Sequence, residues 1–158
     1  MSNFHLTPEI LEEEILKQHI LGNHVKGFIF CNPNNPLGVV FSKELMLSLM
    51  RVCAKYKVHF ISDEIYGLSV FDPTAKFDSI LSIPKEKVRA EQRQQNLIFL
   101  PKIPDPKRTH FLWGLSKDFS LAGLRIGFIH SYNTDLMKCL DGMKFYTSVS
   151  VHIQEVFT

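Results

Sequence analysis

No apolar run in the 158-residue sequence approaches the roughly 20 residues that a transmembrane helix needs. The first residues also show neither the basic start nor the apolar core of a signal peptide. The net charge is only +2, which is too small to indicate nucleic acid or an acidic surface as a partner. Residues 85–108 are rich in lysine and arginine, but aromatic residues that could stack on bases are not interleaved with them. We therefore predict neither a membrane nor nucleic acid as a partner, and a solvated loop for this basic stretch.

Cysteine is also scarce, since the sequence contains only Cys31, Cys53 and Cys139. Their odd number and wide spacing favour the reduced thiols of a cytoplasmic protein over a disulfide framework. The seven histidines do not combine with cysteines or acids at intervals typical of zinc ligands, so we predict no metal site. The remaining composition, 45% hydrophobic and 22% charged, is typical of a single globular domain.

The first regular element that the sequence predicts is a helix beginning after Thr7. A hydroxyl N-cap, a proline at the first helical position and an acid in the first turn are typical of a helix start. Gly22 is the predicted stop. The apolar residues of this segment recur in pairs four or five positions apart and predict one buried face. They are Ile10, Leu11, Ile15 and Leu16.

Residues 25–62 predict a strand, a helix and a second strand. Residues 25–31 form a short, mostly apolar run that suits a buried parallel strand. Ser42 is the predicted cap of a helix with one apolar face, and residues 58–62 predict the next strand. Such a βαβ unit is typical of α/β folds. The helix residues expected to face the core are Leu45, Leu49, Val52, Cys53 and Tyr56.

The second half of the sequence predicts two more strands, at residues 110–113 and 125–130. A helix is expected to begin at Asp135 and to continue to Thr158. Residues 84–101 show no regular pattern, and we expect a surface loop or a short exposed helix there.

Polar motifs follow the predicted strands. Residues 32–38 read Asn-Pro-Asn-Asn-Pro-Leu-Gly, residues 63–66 read Asp-Glu-Ile-Tyr, and Lys117 and Arg125 come later. In open α/β sheets ligands bind beyond the carboxyl ends of strands, so these positions favour a binding site. Each motif alone also has an ordinary explanation: a proline-fixed turn for residues 32–38, a helix N-cap for Asp63 and a surface lysine for Lys117.

Taken in this order, the motifs resemble the pyridoxal 5'-phosphate (PLP) site of the class I/II aminotransferases, the fold-type I family. Residues 63–71 and 105–110 are most similar to animal 1-aminocyclopropane-1-carboxylate synthase-like proteins. The resemblance implies that residues 1–158 form part of the large PLP-binding domain, an α/β fold with a mostly parallel sheet flanked by helices. It also implies that the N-terminal part of that domain and the C-terminal small domain lie outside this sequence.

The resemblance assigns PLP as the cofactor and Lys117 as the lysine that holds it as a Schiff base and accepts the α-proton of the substrate. We expect burial beside Trp113 and Leu115 to make this amine available as a nucleophile. Asp63 is assigned to the pyridine nitrogen of PLP, because a carboxylate there keeps the nitrogen protonated and the ring an electron sink. Its neighbour Glu64 is the rival for this role.

Three further residues are assigned to the cofactor by the same resemblance. Tyr66 and Asn35 would bond the 3-oxygen and stabilise its anionic form, with Asn32 and Asn34 left as turn residues. Arg125 would bind the phosphate, since a guanidinium offers paired donors in a fixed fork. We expect a sharp turn at Gly123, in the loop before this arginine.

The function that the resemblance implies is the transformation of an α-amino acid, by transamination or by elimination or cyclisation, in a homodimer. Gly114 stands where many relatives carry a phosphate-binding serine, so one phosphate donor is missing. The resemblance implies that only part of the parent sheet lies within this sequence. Such a partial sheet exposes an unpaired edge strand and apolar faces, so we expect the chain alone to be poorly stable and inactive.

Two other functions stay open. The first is a catalytically inactive homologue or fragment that serves as a binding module, an alternative that Gly114 favours and that the five intact cofactor residues oppose. The second is a generic nucleotide-binding α/β domain. It is less favoured, because no glycine-rich phosphate loop follows the first predicted strand.

Overall fold

The computed structural model describes residues 5–84 and 102–156, and a four-stranded sheet lies at its centre. The strands, in their order across the sheet, are β1 (Gly27–Cys31), β2 (His59–Asp63), β3 (Thr109–Gly114) and β4 (Gly127–Ser131). The first three are parallel, and β4 runs antiparallel to β3. The predicted α/β class with a mostly parallel sheet is confirmed. The predicted solvated loop and the irregular segment lie largely outside the described residues.

Six α-helices accompany the sheet in the described part of the chain. They are α1 (Pro8–Ile20), α2 (Lys43–Lys55), α3 (Leu115–Asp118), α4 (Thr134–Gly142), α5 (Lys144–Thr147) and α6 (Val151–Val156). The single helix predicted from Asp135 onward is therefore wrong, because three short helices occupy this segment. The backbone becomes extended at Ser148 (ψ 142°), where serine and the β-branched Val149 favour non-helical conformations. None of the described helices has the length and apolar character needed to cross a membrane.

The caps predicted for the first two helices are confirmed. The Thr7 hydroxyl accepts a hydrogen bond from the amide of Ile10 at 3.3 Å, and the Ser42 hydroxyl accepts one from the amide of Leu45 at 3.2 Å. Gly22 adopts a φ of +80°, a left-handed conformation that glycine takes without strain, just after α1 ends.

The predicted apolar face of α1 is only half correct. Leu11 and Ile15 are 8% and 2% exposed, whereas Ile10 and Leu16 are 49% and 43% exposed. Residues four positions apart share one helix face, but each neighbour in sequence lies about 100° around the axis. The narrow contact with α2 therefore buries one residue of each pair.

The core lies where α1 and α2 cover the sheet. Phe30 and Phe60 are each 1% exposed, and their ring centroids lie 5.5 Å apart. From α2, Leu49 and Cys53 are equally buried. Burial raises the pKa of the Cys53 thiol to about 12, so this cysteine is an inert part of the core.

Large apolar side chains remain exposed on β4 and α5. Phe128 and Ile129 on β4 are 48% and 39% exposed, and Phe145 and Tyr146 on α5 are 87% and 91% exposed. Poor stability of the isolated chain stays a prediction, and this surface supports it.

Candidate active site

The carboxyl ends of β1, β2 and β3 meet the start of β4 at one edge of the sheet. Cys31 pairs with Asp63 across β1 and β2, and Gly114 pairs with Gly127 across β3 and β4. The five residues assigned to the cofactor all lie at this edge or a few residues beyond it. They are Asn35, Asp63, Tyr66, Lys117 and Arg125.

Asn35 and Tyr66 are in direct contact. The side-chain amide of Asn35 donates a hydrogen bond to the Tyr66 hydroxyl at 3.1 Å. The two residues come from different loops, one following β1 and the other following β2, so the sheet is what brings them together.

The other two asparagines of the motif shape the turn. Asn32 is 1% exposed, and its side chain exchanges two hydrogen bonds with the backbone of Phe41, at 2.9 and 3.3 Å. Asn34 donates to the carbonyl of Cys31 at 3.3 Å and accepts from the amide of Leu37 at 3.4 Å. Both therefore have the turn role expected of them, and Asn35 is the asparagine of the motif that reaches another loop.

Lys117 lies in the single turn of α3, with its Nζ 6.0 Å from the centre of the Tyr66 ring. The expectation that this lysine is buried is wrong, since its side chain is exposed. Leu115 is the α3 residue that enters the interior, at 9% exposure, and a residue two positions later lies about 200° around a helix. The burial of Leu115 thus directs Lys117 outward.

Asp63 and Glu64 have different surroundings. Asp63 is half-buried at the end of β2, and its carboxylate accepts a hydrogen bond from the amide of Ile65 at 3.3 Å, as in a local turn. Glu64 is 2% exposed and accepts from the amide of Ile80 at 2.7 Å and from the hydroxyl of Ser62 at 3.0 Å. Burial is the main cause that raises the pKa of the Glu64 carboxyl. Because the interior already engages Glu64, Asp63 is the acid that remains at the candidate site.

Arg125 precedes β4 rather than lying in it, so the predicted start of that strand is wrong. Its φ of +56° is left-handed and incompatible with a strand, and its guanidinium donates to the carbonyl of Ala122 at 3.1 Å. The sharp turn expected at Gly123 is also misplaced. Ser120 and Arg125 have the positive φ values in this loop, and Gly123 sits in a 3₁₀ turn between them.

Asp118, which sequence reasoning missed, joins two segments of the site. Its carboxylate accepts hydrogen bonds from the amide of Leu68 at 3.0 Å, the hydroxyl of Ser69 at 2.6 Å and the indole of Trp113 at 2.8 Å. Two of these donors lie about 50 positions away in sequence. No local pattern distinguishes such a residue from a surface aspartate.

Gly114 has no space for a side chain. An added Cβ would lie 2.9 Å from the carbonyl oxygen of Ile126 and 3.3 Å from Cδ1 of Ile65. Because the nearer atom belongs to the backbone, a serine at this position would require the strand pair to shift.

A cavity of about 650 Å³ opens beside Asn35 and Tyr66. Its walls are formed by residues from two segments, 33–40 and 66–76, and its volume lies within the range of about 300–1,000 Å³ that is typical of small-molecule sites. Asp63, Lys117 and Arg125 are not among its lining residues. The structure therefore unites two of the five assigned residues in one cavity wall and leaves the other three outside its lining.

The sheet edge combines an amine, a carboxylate, a phenol paired with an amide, and a guanidinium. Such a set suits a small ligand that has a reactive carbonyl, a basic ring nitrogen and an anionic group. Within residues 5–84 and 102–156, no cluster of three or more His, Cys, Asp or Glu could hold a metal ion.

Known proteins are similar in sequence to this chain. A family model described as aminotransferase class I and II matches residues 1–158. The 1-aminocyclopropane-1-carboxylate synthase-like protein 1 of Takifugu rubripes is 37% identical over 137 residues, which cover 87% of this chain and 19% of that protein. The human protein named "Probable inactive 1-aminocyclopropane-1-carboxylate synthase-like protein 2" is 35% identical over 147 residues, 93% of this chain and 23% of that protein.

The fold is also found in solved structures. A PLP-bound protein from Clostridium difficile 630 matches with a TM-score of 0.60 and 24% identity, over 94% of this chain and 32% of that one. The chain spans about a fifth to a quarter of the length of the two curated relatives.

Proposed function

Since the chain belongs to the class I and II aminotransferase family, we propose that it is part of a PLP-dependent enzyme that acts on an α-amino acid. Transamination and elimination or cyclisation both remain open for the reaction. A homodimer, which the resemblance implies, and a cytoplasmic location, which the scarce and widely spaced cysteines favour, are part of the proposal.

The observation that carries the proposal is the contact of Asn35 with Tyr66, with Lys117 above the tyrosine ring. An amide and a phenol that share a hydrogen bond at a cavity wall present polar hydrogens to one ligand oxygen. The lysine amine, 6.0 Å from the ring centre, is close enough to reach a carbonyl carbon on the same ligand. This is the combination that binding of the 3-oxygen and the carbonyl of PLP requires.

The charged residues of the edge complete the assignment. Asp63 would keep a proton on the ring nitrogen, and Arg125 would neutralise the phosphate. When bound, PLP supplies an electron sink for the bonds at the substrate α-carbon. Lys117 would hold the ligand through Nζ, and once the substrate amine had displaced this nitrogen from the ligand carbonyl carbon, the freed amine would be the base that takes the α-proton.

A second candidate function is that of a catalytically inactive homologue acting as a binding module. Gly114 favours it, because the lack of room for a side chain removes a hydroxyl that could contact the phosphate. Retention of all five cofactor residues favours the enzyme. The two functions differ in whether PLP bound through Lys117 is followed by turnover.

The first experiment is a visible absorption spectrum of the purified chain with PLP, compared with the Lys117→Ala variant. We expect a band that borohydride fixes covalently to the protein and that is missing in the variant. Lys144→Ala is the matched control, because Lys144 is an exposed lysine of α5 in an ion pair with Asp141. A band that persists in Lys117→Ala would contradict the proposal, as would the absence of any band in the parent chain.

A further inference from the structure

We propose that Asp118 is a positioning residue, which holds the helix carrying Lys117 against the loop carrying Tyr66. Its contribution to chemistry rests on the function proposed above, but its contribution to geometry does not. The inference starts from one carboxylate that accepts three hydrogen bonds from two separate segments.

Asp118 is the last residue of α3. It directly follows Lys117, and its donors Leu68 and Ser69 come two and three residues after Tyr66. A shift of α3 relative to this loop would therefore stretch the bonds of Asp118 and at the same time change the 6.0 Å spacing between Lys117 Nζ and the Tyr66 ring.

The third donor, the indole of Trp113, makes the link rigid. The Trp113 ring is fixed by two aromatic neighbours, Phe128 at 5.4 Å and Phe119 at 6.0 Å between ring centroids. Since Trp113 belongs to β3, its indole holds Asp118 to the sheet as well as to the loop. The helix α3, which carries Lys117, is thus hydrogen-bonded both to β3 and to the loop that follows Tyr66.

The chemistry of the donors explains why an acceptor is needed here. An indole N–H and a backbone N–H can only donate, and the Ser69 hydroxyl can either donate or accept. An asparagine at position 118 could use its carbonyl oxygen for Trp113 and Leu68 and donate its amide to Ser69. The Asp118→Asn variant therefore preserves the geometry and removes the charge, whereas Asp118→Ala removes every bond.

The test measures amide hydrogen exchange in residues 66–69 and 115–118 of the full chain without cofactor. In Asp118→Ala we expect exchange in both segments to become roughly tenfold faster, because the opening of either is no longer opposed by the shared bonds. We expect Asp118→Asn to stay within about threefold of the parent chain. Emission of Trp113, the single tryptophan, should shift to longer wavelength in the alanine variant only.

With PLP added, the same variants are compared by the pH midpoint of the Lys117-dependent absorption band. A residue that only stabilises the fold would lower the amount of folded protein and leave this midpoint unchanged. A positioning residue would change the midpoint in Asp118→Ala, and Asp118→Asn would restore it. Asp141→Ala, at an exposed aspartate in α4, is the control for loss of a surface carboxylate.

Faster exchange in both segments for Asp118→Ala, with little change for Asp118→Asn, would support the inference. Loosening of one segment alone, or of neither, would overturn it. If the parent chain shows no lysine-dependent band, the proposed function fails, and the exchange measurement still decides whether Asp118 holds the two segments together.

Discussion

The side-chain nitrogen of Asn35 and the phenol oxygen of Tyr66 lie 3.1 Å apart although the residues are separated by 31 positions in the sequence. Asn35 donates this bond, so the tyrosine keeps its own proton for a further acceptor in the adjoining cavity. The pair therefore acts as one group toward a ligand oxygen.

Replacement of Tyr66 by phenylalanine should weaken PLP binding by roughly tenfold, the effect of one lost hydrogen bond to an anionic oxygen. Asn35→Ala should have a similar effect, and the double variant should lose less than the sum of the two, because each removes a shared interaction. Spectroscopic titration with PLP measures all three. The control is Tyr146→Phe, at a 91% exposed tyrosine, which should bind PLP as the parent chain does. If Tyr146→Phe weakens binding as much as Tyr66→Phe, the pair of Asn35 and Tyr66 has no specific part in binding.

Introducing a serine at the position of Gly114 should harm this chain. We expect Gly114→Ser to lower the free energy of unfolding by about 1–3 kcal/mol, the usual cost of overpacking, because the Cβ meets a carbonyl oxygen at 2.9 Å. Gly123→Ser is the control, since an added Cβ there meets nothing within 4 Å. Urea unfolding compares the two, and a Gly114→Ser chain as stable as the control would show that the strands adjust freely.

Glu64 should contribute to stability through its acceptor oxygen rather than its charge. Glu64→Gln retains an oxygen for Ile80 and Ser62, so it should be as stable as the parent or more stable at neutral pH. Glu64→Ala should lose about 1–3 kcal/mol, because two donors are left without an acceptor.

The pH dependence provides a further check on Glu64. The pKa of this carboxyl is raised above its ordinary value of 4.5, mainly by burial, so the folded state binds the proton more tightly than the unfolded state does. Its contribution to stability therefore falls as the pH rises from 4.5 through the raised value, and Glu64→Gln should abolish that decline. If the free energy of unfolding depends on pH in the same way in the parent chain and in Glu64→Gln, this prediction is contradicted.

The histidine pair at the opposite edge of the sheet should give the reverse trend. His59 Nδ1 and His110 Nε2 lie 2.7 Å apart, within hydrogen-bond distance, and His110 is 4% exposed. Burial, followed by the charge of His59, lowers the pKa of His110 below its ordinary 6.5. The unfolded chain therefore binds this proton more readily, and stability should fall as the pH drops through 6.5 toward the lowered value.

Thermal unfolding at about pH 7.5 and about pH 5.5 measures this effect, because histidine titrates between these values. His110→Gln should reduce the difference between the two temperatures. His152→Gln, at an exposed histidine, is the control and should leave the difference unchanged. A His110→Gln chain with the full acid sensitivity of the parent would assign the effect to other groups.

Local chemistry made part of the fold predictable. The caps at Thr7 and Ser42 and the strand that ends at Asp63 depend on side chains within a few residues of each other, and the sequence displays those directly. The five assigned residues lie at or near one edge of the sheet because each stands within a few residues of a strand end, which the sequence also displays.

Features that depend on contacts between distant segments were not predictable. Lys117 was expected in the interior, but the phase of α3 is set by the packing of Leu115. Arg125 was expected in a strand, but its φ of +56° results from a turn that the chain closes with a hydrogen bond to Ala122. The role of Asp118 does not show in the sequence, because the sheet brings its partners Leu68 and Ser69 to it from about 50 positions away.

The pairing of Gly114 with Gly127 brings the two ends of the loop of residues 115–126 together. Lys117 and Arg125 both lie on this loop. The strand pairing therefore holds both ends of the segment that carries the two basic residues. A replacement loop grafted between the same two glycines would therefore exchange both basic residues in a single step. Such a graft would keep the bridge to Leu68, Ser69 and Trp113 only with a hydrogen-bond acceptor in the place of Asp118.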